Sequence, residues 1–70
     1  MTLRELASEY LESERKVLER ARELKEQLPR TRGTIEREAL EKRISLLEDE
    51  AMETHFTAMQ LLGYDEAEAV

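Results

Sequence analysis

In this 70-residue chain, four features have residue types that could do chemistry. They are one histidine, one carboxylate set among apolar residues, a run of acids, and a cluster of arginines around the only proline. His55 would suit a helical metal site if a carboxylate stood three or four positions away on the same face. Positions 51, 52, 58 and 59 are instead Ala, Met, Ala and Met, and Glu53 falls on another face. The spacing implies no metal, and His55 reads as a boundary residue beside Ala7 and Tyr10. Glu14 interrupts an apolar stripe. A buried carboxylate needs a partner or takes up a proton. Glu14 therefore has two readings: a register-setting polar residue that pairs with Arg or His across an interface between copies, or an edge residue whose carboxylate reaches water. Glu48-Asp49-Glu50 with Glu53 lacks the glycine turn and alternating oxygen ligands of a calcium loop and reads as a solvated face. No pattern buries or orients two carboxylates together for acid/base work. With no Cys in the chain, thiolate nucleophiles, thiolate metal sites and disulfides are excluded. These residues imply no catalytic group and no cofactor, so the expected protein is not an enzyme.

The arginines raise a different chemistry. Ten basic and six acidic residues lie between Arg15 and Arg43, a balance of +4, whereas residues 1–14 sum to −3 and residues 44–70 to −7. Arg30 and Arg32 flank the turn and could contact phosphate. Against this, carboxylates are interleaved, the whole chain carries −6, and no aromatic residue between Tyr10 and Phe56 could stack on a base. Solvated helix faces are the ordinary meaning of such mixed charge, and phosphate contact is kept as the alternative.

Two elements must position these residues. Leu, Ala, Glu, Lys and Arg dominate, and these are good helix formers. Thr2-Leu3-Arg4-Glu5 reads as a capping box, with Thr2 accepting from the Glu5 amide and Glu5 reaching back to the Thr2 amide. Apolar residues then recur at steps of three and four from Leu3 to Leu28. Pro29 disfavours helical geometry at Leu28, so the first helix is expected over residues 2–28 and a turn over 29–33. A second helix is expected over residues 34–62, with Thr34 as N-cap and Thr31 as an alternative start. Gly63 is expected to stop it in the left-handed conformation, with Tyr64 folding back onto Met59, before a short acidic tail at 65–70.

So short a connection implies an all-α fold, an antiparallel two-helix hairpin in one domain. Symmetry about Thr31 makes facing residue numbers sum to about 62, placing Leu28 against Ile35, Val17 near Ile44, Leu11 near Ala51 and Leu6 near Phe56. Two helices bury only one strip each, and a chain this short gains little net stability from that. The expected remedy is self-association into a dimeric four-helix bundle. Its interface would use Leu6, Tyr10, Leu11, Val17 and Leu18 from the first helix and Ile44, Leu47, Met52, Phe56 and Met59 from the second. Antiparallel packing of the copies would set each basic turn near the partner's acidic end. A helical partner protein could cover the same surface. No stretch approaches the ~18 apolar residues of a membrane span. Arg4 and Glu5 interrupt the only place a signal peptide could begin, which makes a cytoplasmic location the expectation.

Leu3-Arg4-Glu5-Leu6 followed by Glu9-Tyr10, the charged central turn and the closing Leu61-Leu62-Gly63-Tyr64 resemble the short helical-hairpin reading frames common in bacterial prophages and conjugative elements. The resemblance covers most of the chain and implies a bacterial source and an accessory or regulatory role. It carries over no functional residue.

Overall fold

The computed structural model describes residues 1–69, with side chains through Tyr64. Helix α1 spans Leu3–Gln27, a 3₁₀ turn spans Leu28–Arg30, and helix α2 spans Thr34–Ala69. The helices run antiparallel and form a hairpin measuring 55 × 15 × 13 Å. Its radius of gyration is 16.2 Å, against about 11 Å for a spherical domain of this length. No helix among the described residues is long and apolar enough to cross a membrane.

The N-terminus of α1 is capped by the predicted residues. The Glu5 amide donates to Thr2 Oγ1 at 3.1 Å. The Glu5 carboxylate accepts from the Thr2 hydroxyl at 3.2 Å instead of from the Thr2 amide. At the other end Leu28 keeps helical dihedrals (φ −53°, ψ −50°), and Pro29 sits at the start of the 3₁₀ turn, where its missing N–H is not needed. Three contacts satisfy the carbonyls released there. Thr31 Oγ1 donates to the Gln27 carbonyl at 2.8 Å, and Arg37 Nη1 donates to the Leu28 and Thr31 carbonyls at 3.3 Å each. The first bond of α2 runs from the Arg37 amide to the Gly33 carbonyl at 2.9 Å. Gly33, one residue before the expected Thr34, therefore holds the N-cap, and the Glu36 carboxylate folds over it into the space a Cβ would occupy.

The seam between the helices follows a four-three repeat, the spacing of a left-handed coiled coil. On α1 it uses Ala7, Glu14, Val17, Ala21, Leu24 and Leu28. On α2 it uses Leu40, Ile44, Leu47, Ala51 and Ala58. Ala21, Leu24, Ile44 and Leu47 form the main cluster, with Val17, Leu28 and Leu40 packed against it. The register differs from the one symmetry about Thr31 predicts. Glu14 meets His55 and Lys25 meets Glu48, so facing numbers sum to about 70 instead of 62. The cause is the length of the connection. The 3₁₀ turn and the first turn of α2 carry the chain past the end of α1, leaving Ile35 78% exposed. The slip is close to one seven-residue repeat, so apolar positions still meet apolar positions.

The α2 C-terminus is a second correction. The helix runs through Gly63 to Ala69, and no glycine takes a positive φ. Glycine costs a helix interior only about 1 kcal/mol relative to Ala, and no proline follows it to force a stop. Residues of the expected acidic tail up to Ala69 therefore extend α2. Tyr64 is exposed.

Candidate functional site

Small residues supply four of the seven buried apolar positions among the described residues: Ala7, Ala21, Ala51 and Ala58. Among the described residues Leu24, Ile44 and Leu47 are the only large buried side chains, and none is fully buried. Alanine lets two helices approach closely, but it removes little apolar area from water. The chain consequently exposes 5606 Å², where a compact protein of 8.2 kDa exposes about 4,500 Å². The excess of about 1,100 Å² exceeds the ~800 Å² that each partner buries in a standard interface.

The interface residues expected from the sequence divide into two groups. Ile44 and Leu47 are buried, and Val17 packs against them, so these three serve the hairpin's own core. A slip of seven keeps the same helix faces together, so these residues lie on the seam in either register. Leu6 and Leu11 are half-buried. Tyr10, Leu18 and Met59 are exposed, with Phe56 at 64% and Met52 at 71%.

Two cross-helix polar pairs show which of these residues share a flank. Lys25 Nζ lies 2.7 Å from Glu48 Oε2, so the rows containing these residues border the same side of the seam. Stepping back by sevens from Lys25 along α1 gives Leu18 and Leu11. Stepping forward by sevens from Glu48 along α2 gives His55 and Leu62. Met52 and Met59 lie four residues beyond Glu48 and His55, in the adjoining row, and Phe56 adjoins that row. Leu11, Leu18, Met52, Phe56, Met59 and Leu62 therefore make one apolar flank on the middle and open end of the hairpin. Across the seam, the row stepping by sevens from Leu6 continues as Ser13, Arg20 and Gln27 and is polar.

The one polar feature at the centre of the apolar flank is the Glu14–His55 pair. His55 Nδ1 lies 2.8 Å from Glu14 Oε2 and 3.1 Å from Glu14 Oε1. The Glu14 side chain is 20% exposed and that of His55 51%. Glu14 thus finds its partner within its own chain, and His55 stands against Glu14 at the boundary of the seam. The pair spans 41 positions and depends on the register, so spacing along one helix could not reveal it. The Lys25–Glu48 pair depends on the register in the same way.

Elsewhere the surface is mainly charged, with Ile35, Leu46 and Tyr64 also exposed. Arg15 bridges Glu12 at 2.6 Å and Glu19 at 3.1 Å, and Arg20 meets Glu23 at 3.1 Å. The hydrogen bond from Arg15 holds the Glu12 carboxyl below its usual value of 4.5, and Glu12 raises the Arg15 guanidinium in turn. Arg30 and Arg32 are exposed on the turn, without a carboxylate in ion-pair range among the described residues.

Together, fold and surface define an antiparallel coiled-coil hairpin with one apolar flank. The chain matches no family model, no curated protein and no solved structure.

Proposed function

We propose that this protein is a small non-enzymatic interaction module that self-associates, two hairpins packing antiparallel to complete a four-helix bundle. The observation that carries the reading is the imbalance of apolar groups. Leu18, Met52, Phe56 and Met59 are exposed on one flank of a hairpin that, among the described residues, buries only three large side chains. Covering that flank supplies the burial the isolated hairpin lacks. Thermal unfolding followed by circular dichroism tests the reading, because association makes the midpoint depend on protein concentration. The midpoint of the native sequence should rise with concentration between 1 and 100 μM (about two decades), and that of Met52→Glu/Phe56→Glu should not. A concentration-independent midpoint for the native sequence overturns the proposal.

The free guanidinium groups of Arg30 and Arg32 support a second reading, phosphate contact through the turn. Salt separates the two. Apolar association persists in high salt, whereas phosphate binding collapses.

A further inference from the structure

We infer that the two-fold axis of the dimer passes beside His55, so that α2 packs on the partner's α2 and the Glu14–His55 pairs of both copies meet at the centre of the interface. This placement rests on the self-association reading and adds to it a face, an orientation and a register.

Three observations converge on it. The first is the position of the flank. An isologous interface presents the same patch from both copies and is centred on the symmetry axis. The exposed apolar stretch of α2 runs from Met52 to Met59, so its greatest overlap with itself occurs about an axis between residues 55 and 56. Met52 of each copy then falls at the level of Met59 of the other. The level on α1 is set by Leu18, seven residues before Lys25 as His55 is seven after Glu48.

The second is charge. Residues 1–14 and 53–70 make up the open half of the hairpin and together carry −7, while residues 15–52 make up the turn half and carry +1. Parallel packing sets −7 against −7. Antiparallel packing about His55 avoids that repulsion and brings Lys42 and Arg43 level with the partner's last helical turns, where residues 66 and 68 are both glutamate.

The third is the polar pair. Glu14 and His55 are joined at 2.8 Å in the middle of an otherwise apolar flank. Covered by a second copy, such a pair is removed from water, and shifting the copies along one another would press it against apolar side chains. Single polar groups in apolar seams fix alignment in this way, at some cost in stability. Glu14 and His55 are therefore positioning residues, which set how the copies align.

The native chain has no cysteine, so single spin labels can be placed cleanly on the full-length protein. Labels at Ile35→Cys and at Asp49→Cys, both exposed positions, report distance between copies by pulsed electron resonance. With a rise of about 1.5 Å per residue, axial separations of about 60 Å at position 35 and about 20 Å at position 49 are expected. The double substitution Glu14→Leu/His55→Leu should leave the dimer intact but broaden both distance distributions. A short distance at position 35 would mean parallel packing and overturn the placement, as would a dimer with no coupling at position 49. Unbroadened distributions in the Leu/Leu variant would remove the positioning role. A chain that sediments as a folded monomer instead sinks the self-association reading, and the placement with it.

Discussion

Toward the turn, Leu24, Ile44 and Leu47 interlock around Ala21, with Val17, Leu28 and Leu40 closing the cluster. Toward the open end the buried seam positions are Ala7 and Ala58, Glu14 and His55 pair across the seam, and Met52, Phe56 and Met59 stand outside it. Both halves are helical and share one repeat, so secondary structure does not distinguish them. The difference lies in where large side chains fall relative to the seam. The turn half uses Leu24, Ile44 and Leu47 to hold the two helices together. Toward the open end the fully buried side chains among the described residues are small, Leu6 and Leu11 are half-buried, and Met52, Phe56 and Met59 point outward and leave an apolar surface uncovered. The same 70 residues thus contain a part that stabilises the hairpin and a part suited to extending it.

Core truncation should break this comparison most sharply. Ile44→Ala removes a nearly fully buried side chain from the turn-half cluster, and a loss of about 2–4 kcal/mol is expected, measured by urea unfolding at any protein concentration. Phe56→Ala should cost little at low concentration and progressively more as concentration rises, because the proposed self-association assigns its contacts to a second copy. Equal and concentration-independent losses for the two would erase the distinction between the halves.

Gly63→Ala gives a smaller effect of opposite sign. Nothing lies within 4 Å of the added Cβ, and the residue is inside α2 with no positive φ. The substitution should stabilise by about 0.5–1 kcal/mol. Destabilisation would mean that the helix stops at Gly63 in a left-handed turn.

The smallest expected effect concerns pH. The hydrogen bond from Arg15 holds Glu12 below its ordinary 4.5. A carboxylate whose folded value is depressed contributes stability above its unfolded value and loses that contribution as pH falls through the folded one. The contribution of Glu12 should therefore be complete above pH 4.5 and fade below it. Arg15→Ala should return the Glu12 carboxyl toward its usual value in an NMR titration while barely moving the midpoint of unfolding, since both side chains are more than half exposed.

Much of this architecture is legible in the order of residues. Thr2 and Glu5 announce the start of α1, Pro29 and Gly33 bracket the reversal, and steps of three and four mark the stripes. The exposure of Leu46, Met52, Phe56 and Met59 follows from a stripe on α2 broader than one partner helix can cover. The register is not legible, because a seven-residue repeat looks the same after a slip of seven. What decides it is the geometry of the connection, where Thr31 and Arg37 hold the carbonyls at the end of α1 and let α2 begin beyond it. Every cross-helix pair inherits that ambiguity, Glu14–His55 included. Gly63 was ambiguous for a different reason: a lone glycine can end a helix or be carried within it, and the residues after it, Ala and Glu among them, favour continuation.

Self-association is the central claim, and sedimentation equilibrium of the native sequence tests it most directly. In low and in high salt, at micromolar concentration, the account predicts a single species with twice the 8.2 kDa mass of the chain. A helical, cooperatively folded monomer of 8.2 kDa under the same conditions would contradict it.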